Sequence, residues 1–174
     1  MIDALISDHL AEAVNAQVGR EFGASLQYVS IASYFAAESL PQLANFFYRQ
    51  AEEEREHAMK FVHFLVDAGA DVVIPAIPGT PQGFDSAEQA VEAALNWERE
   101  VTAYIIDLVT IAEGERNYIA RQFLDWFVAE QLEEVALMSE LLHTVRRAGE
   151  NNLLAVEQYM VNRPAPAADP MAEG

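Results

Sequence analysis

The chain has 174 residues, 52% of them hydrophobic and 22% charged, and 28 acidic against 10 basic side chains give a net charge of −18. That length suits one domain with its own core, and the acidic balance argues against nucleic acid and anionic membrane surfaces as partners. There is no cysteine, which excludes disulfides, thiolate metal sites and cysteine nucleophiles.

The opening stretch "MIDALISDHLAEAVN" lacks a basic region followed by an apolar run, so no signal peptide is expected. No stretch approaches the roughly 18 uninterrupted apolar residues of a membrane span. A cytoplasmic location is therefore expected.

Gly and Pro punctuate the rest. A first helix is expected over about 8–37 and a second over about 41–68, with Pro41 in its first turn and Gly69 as its C-terminal cap. The stretch "GADVVIPAIPGTPQGFD" (69–85) reads as a long connection. Ser86 with Gln89 resembles a capping box opening a third helix over about 87–113, ended by Gly114. A fourth follows over about 116–147, before Gly149, and "ENNLLAVEQYM" suggests a short fifth. The end, "NRPAPAADPMAEG", reads as a Pro/Ala-rich tail. Short links make neighbouring helices antiparallel, and the long one can run the length of a bundle. The expected fold is thus all-α: a four-helix bundle with one long crossover between helices 2 and 3.

Steps of three and four trace the face each helix should bury. Helix 1 gives Val14, Val18, Glu21, Ser25, Tyr28, Ala32 and Phe35. Helix 2 gives Leu43, Phe47, Gln50, Glu54, His57, Phe61, Phe64 and Ala68. Helix 3 gives Val91, Ala94, Glu98, Val101, Ile105, Leu108 and Ala112. Helix 4 gives Ala120, Leu124, Phe127, Gln131, Glu134, Met138, Leu141 and Val145. Each stripe is apolar near its ends and interrupted near its middle, and a Glu is among the interruptions every time. In a bundle the middles share one level, so the four carboxylates should converge in the core.

Buried carboxylates cannot stay ionised together without a counter-charge. These stripes carry no Lys or Arg, so the group must take up protons or bind cations, and two divalent ions would balance four carboxylates. Glu54 and His57 form a Glu-x-x-His pair on one helix face. The imidazole favours iron, manganese or zinc over calcium or magnesium. Of the other acids, Glu52 and Glu56 have helical spacing for surface pairs with Arg55 and Lys60. Glu53, Glu130 and Glu133 flank the stripe, as an accessory metal site or as solvated charge. Glu113, Glu115 and Glu150, near helix ends, could line pores but read more readily as surface charge.

Glu21, Tyr28, "EEEREH" (52–57), Glu98 and "WFVAEQLEE" (126–134) together resemble a bacterial non-haem ferritin of the ferritin-like di-iron family. The resemblance spans nearly the whole chain, with residues 1–162 as the ferritin-like domain and 163–174 as the tail. It implies an iron store with ferroxidase activity. Fe(II) would be oxidised by dioxygen or peroxide and kept as ferric mineral inside a hollow cage of twenty-four identical subunits. Glu21, Glu54 and His57 match the ligands of one iron, with Glu54 as the bridge. Glu98 and Glu134 match those of a second iron, with Gln131 beside it, making two irons per subunit. Tyr28 matches the tyrosine near the site. Glu53, Glu130 and Glu133 match a third iron site.

Relatives differ in ways that bear on this chain. Bacterioferritins and rubrerythrins place a second Glu-x-x-His on the last long helix. Here Gln131-x-x-Glu134 stands instead, so the second metal should be held more weakly, as suits iron that moves on. Bacterioferritins also use a Met just before the motif histidine for haem. Here the neighbourhood is "REH", with Met59 after His57, so no haem is expected. Two other readings remain: a di-iron oxidase acting on an organic substrate, and a non-enzymatic acidic bundle that binds a partner.

Overall fold

A computed structural model of the chain describes residues 4–163. The expected tail lies, apart from Arg163, outside the described residues. The helices are α1 (Asp8–Ala37), α2 (Pro41–Asp67), α3 (Ala87–Gly114), α4 (Tyr118–Ala148) and α5 (Leu153–Asn162), the last reached through a single 3-10 turn (Glu150–Asn152). Among the described residues there is no strand, and no helix is long and apolar enough to cross a membrane.

Local chemistry sets where each helix starts. Ser7, Ser86 and Asn117 precede α1, α3 and α4, and their side-chain oxygens accept from Leu10 N, Gln89 N and Ala120 N, each at 3.0 Å. These bonds satisfy donors that the first turn leaves open. The start of α2 has Pro41 but no side-chain cap of its own. Glu157 on α5 supplies one, accepting from Gln42 N at 2.8 Å and Leu43 N at 2.9 Å. Glu150 serves the start of α3 in the same way, accepting from Ala87 N and Glu88 N. Its carboxylate is therefore a cap rather than simple surface charge.

Helix ends reuse one device. Gly69 N bonds Val66 O and Ala70 N bonds Leu65 O, with Gly69 at φ 74°, as expected of a glycine cap. The same pair of bonds closes α3, but Arg116 at φ 55° makes the left-handed turn. Gly114, expected to end that helix, is its last helical residue. For the same reason α4 begins two residues later than the sequence suggests.

The bonds Leu5 N to Ala68 O (2.8 Å), Asn117 Nδ2 to Leu5 O (2.8 Å) and Ser7 Oγ to Glu115 (2.7 Å) gather one end of all four long helices. So α1 and α4 run one way, and α2 and α3 the other. The link 68–86 must return along the bundle, and it does so against α1. Asn15 holds it, donating to Asp71 O at 2.9 Å and accepting from Val73 N at 2.6 Å. Higher up, Pro75 rides over Gly19 so closely that a Cβ there would lie 2.4 Å from Pro75 Cγ. Glycine at this position makes room for the crossover.

The buried apolar side chains form two clusters. One, around Tyr28, Phe35, Phe47 and Met138, lies toward α5; the other, around Leu10, Phe61, Ile105 and Phe127, lies toward the chain start. The polar layer between them is where the stripes are interrupted. Every residue of the α3 and α4 stripes is buried. On α1 and α2 two expected members are only half-buried: Ser25, which donates to Ala51 O at 2.7 Å, and Phe64, which stacks on Phe123. Ala24 and Leu65 occupy the deeper positions beside them, because the stripe drifts by a residue over such long helices.

Candidate metal centre

Four helices contribute to the polar layer. Helix α1 presents Glu21 and, two turns on, Tyr28; α2 presents Glu54 and His57 one turn apart; α3 gives Glu98; α4 gives Gln131 and Glu134. The three-and-four spacing on each helix puts these groups on the buried face. All but Tyr28 retain 1–5% of their exposure, and Tyr28 retains none.

One half of the layer is Glu21, Glu54 and His57. One ligand atom from each lies within 4.8 Å of the others. His57 Nδ1 is 3.5 Å from Glu54 Oε2 and 4.0 Å from Glu21 Oε2. These separations are long for hydrogen bonds. They suit atoms that share a cation, since ligands roughly 2.1 Å from one metal lie roughly 3–4 Å apart. The other ring nitrogen, Nε2, faces Glu130 Oε1 at 3.9 Å. A carboxylate there can orient the imidazole so that Nδ1 faces the other two ligands. Trp126 meets the same ring edge-on.

The other half is Glu98, Gln131 and Glu134. The Tyr28 hydroxyl donates to Glu98 Oε1. Gln131 Nε2 lies 3.2 Å from Glu98 Oε2, 3.2 Å from Glu98 O and 3.1 Å from Thr102 Oγ1. Because Thr102 donates its own proton to Glu98 O, it can only accept from Gln131. The Gln131 amide nitrogen is thus turned toward Glu98, and Oε1 is the atom left to ligate.

Electrostatics show what the layer lacks. Burial holds the Glu21, Glu54 and Glu134 carboxyls well above the usual carboxylate range. Neighbouring charge adds to this: Glu54 acts on Glu21, and Glu98 acts on both Glu54 and Glu134. Glu98 is also raised by burial, with the Tyr28 and Gln131 hydrogen bonds pulling it back. Burial and the carboxylates push the Tyr28 phenol well up. Glu21 Oε2, Glu54 Oε1 and Glu134 Oε2 are buried with no hydrogen-bond partner among the described residues. No Lys or Arg is buried among them either. Buried acceptors without donors are costly. Protons relieve that cost at low pH, and divalent cations relieve it at higher pH. The donor set, carboxylate oxygens with one imidazole, fits iron.

The flanking acids diverge. Glu130 is half-buried beside His57, Glu53 is half-buried and accepts from Gln50 Nε2 at 2.5 Å, and Glu133 is exposed. Glu52 and Glu56 are exposed, and Lys60 lies over the Trp126 ring.

A model of the ferritin-like domain family matches residues 11–148, a span that holds every residue of this centre. The chain belongs to the ferritin family. It is 43% identical over 162 residues to ferritin BfrB of Mycobacterium tuberculosis, covering 91% of this chain and 89% of that one. It is 34% identical over 148 residues to a bacterial non-heme ferritin of Staphylococcus aureus, covering 85% and 89%. Among solved structures, the open pore ferritin of the archaeon Archaeoglobus fulgidus superposes with a TM-score of 0.87 at 34% identity, over 92% of this chain and 99% of that one. A ferritin-family bundle explains the single long crossover that the sequence suggested.

Three supporting groups escaped the sequence reading. Gln17, one turn before Glu21, donates to Glu21 Oε1 at 2.7 Å. Thr102 sits one turn after Glu98. Gln50 stood on a stripe without a role, and it holds Glu53. Each is four or three residues from the acid it touches, which is the signal that could have found them.

Proposed function

We propose that this chain is the subunit of an iron-storing ferroxidase, with Fe(II) as substrate and the polar layer as the oxidation site. The observation that carries the reading is the set of unpartnered buried carboxylate oxygens on Glu21, Glu54 and Glu134, with Glu21 and Glu54 gathered beside His57 and no Lys or Arg buried among the described residues.

Fe(II) is drawn in by the acidic surface, at a net charge of −18. One ion takes Glu21, Glu54 and His57; a second takes Glu54, Glu98 and Glu134, with Gln131 at its side. Glu54 suits the bridging role because it feels both Glu21 and the Glu98–Glu134 pair. Binding displaces the protons that burial keeps on these carboxyls. Two Fe(II) then give up one electron each, which with two protons reduces dioxygen to hydrogen peroxide; peroxide can serve as the oxidant in turn. Tyr28 keeps its proton and holds Glu98 in place. Gln131 supplies a neutral ligand where a charged one would bind more firmly, which suits product that leaves for mineral. Glu53, Glu130 and Glu133 form a third, looser iron site on the way out. The assembly is a cage of twenty-four copies, without haem, in the cytoplasm.

The test is aerobic Fe(II) oxidation by the wild type and Glu54→Ala. Removing the one carboxylate shared by both ions should slow oxidation by more than the roughly tenfold to hundredfold that losing an outer-shell partner costs. Full rates in Glu54→Ala would discard this site.

A further inference from the structure

Glu21 is held by a side-chain relay that reaches the surface of the bundle. Gln17 on α1 is completely buried, and its Nε2 donates to Glu21 Oε1 at 2.7 Å. Its Oε1 accepts from Arg20 at 3.2 Å. The Arg20 guanidinium in turn lies over the Tyr104 ring of α3, 3.7 Å from its centre.

The chemistry of this relay fixes its direction. A guanidinium only donates, so the Gln17 atom facing Arg20 must be the carbonyl oxygen. The amide nitrogen must then face Glu21. Amide orientation in a glutamine is otherwise ambiguous; here a donor-only neighbour settles it. Arg20 cannot swing freely, because the Tyr104 face holds it by a cation–π contact.

The consequence lies at the metal-facing end. Glu21 Oε1 is committed to Gln17, whereas Oε2 is unpartnered and is the atom 4.0 Å from His57 Nδ1. We infer that the Tyr104–Arg20–Gln17 relay presets Glu21 as a one-oxygen ligand, making Gln17 and Arg20 positioning residues for the metal site nearest His57. A carboxylate without this restraint can turn to offer both oxygens to one ion, at the cost of ordering it on binding. The inference rests on the metal-centre reading given above, and it goes beyond it in assigning control of ligand geometry to residues that touch no metal.

The experiment is anaerobic titration of the metal-free assembly with Co(II), followed by calorimetry and visible absorption. Co(II) is not oxidised here, and its d–d bands report ligand number. The variants are Gln17→Leu, which keeps the volume and removes the donor, and Arg20→Ala, which frees the amide from outside the core. Gln17→Leu should weaken the tighter Co(II) about tenfold or more and lower the intensity of its d–d bands, as an added ligand oxygen would do. Arg20→Ala should shift both readouts the same way by less. Unchanged affinity and spectrum in both variants would overturn the relay while leaving the metal centre standing. No stoichiometric Co(II) binding by the wild type would overturn both. If Gln17→Leu does not assemble, Arg20→Ala, on a half-buried side chain, decides the question alone.

Discussion

The Tyr28 hydroxyl on α1 donates to Glu98 Oε1 on α3, tying two helices together at the level of the carboxylates. Tyr28 has no exposure, so its hydroxyl depends on this partner. Glu98 depends on Tyr28 in return, because burial raises its carboxyl and this bond pulls it back. Tyr28→Phe should therefore lower the stability of the metal-free protein by about 1–2 kcal/mol, the range for a buried hydrogen bond to an acid. It should also weaken the ion that uses Glu98. A shift of the urea midpoint, with an anaerobic Fe(II) titration beside it, checks both parts.

Stability should fall as pH rises. Glu21, Glu54, Glu98 and Glu134 are all raised above the ordinary carboxyl value in the folded chain, chiefly by burial. Above that value the unfolded chain has released protons that the folded chain still binds. Stability is then fully present below the ordinary carboxylate range, and is lost as pH climbs toward the raised values. Glu54→Gln removes one such group and should stabilise the metal-free protein at pH 7 by on the order of 1–3 kcal/mol, while losing Fe(II) oxidation. Divalent metal binds the ionised forms, so its stabilising effect should grow with pH. Melting temperatures across pH 5 to 8, with and without Co(II), give both slopes; a flat metal-free profile contradicts the electrostatic picture.

Helix α5 is latched to the bundle through Glu157, which caps the start of α2 from across the chain. Glu157→Ala leaves Gln42 N and Leu43 N without their acceptor, at a cost of about 1 kcal/mol. Amide exchange should quicken in Leu153–Asn162 and at the α2 start, with the metal centre untouched. Equal exchange in the variant would show that Val156, buried in the same contact, holds the helix without it.

How much of this was legible in the sequence depends on which residues are asked about. The α3 start was readable because Ser86 is a local cap, and the long crossover because Pro and Gly crowd it. The α4 start was not, because Arg116 adopts a left-handed turn that normally advertises itself as glycine. The stripe on α3 was read in full, since Glu98 lies midway in an otherwise apolar series. Gln17 was missed because it lies outside the α1 stripe, and the sequence does not say which neighbour a buried amide will find. The reason for Gly19 was not legible either, because Pro75, which rides over it, is more than fifty residues away. Glu150 and Glu157 could not be recognised as caps for the same reason: the helix starts they serve are distant in sequence.

If the buried carboxylate layer oxidises Fe(II) for storage, aerobic addition of Fe(II) in rising ratios should show it, followed in the near ultraviolet with the particle mass measured on the same sample. The expected result is fast oxidation saturating near two irons per chain, then slower loading far past that ratio inside a cage-sized particle. Oxidation that stops at two irons in a small oligomer would contradict storage and favour a di-iron oxidase acting on an organic substrate. No oxidation at all would contradict the metal centre itself.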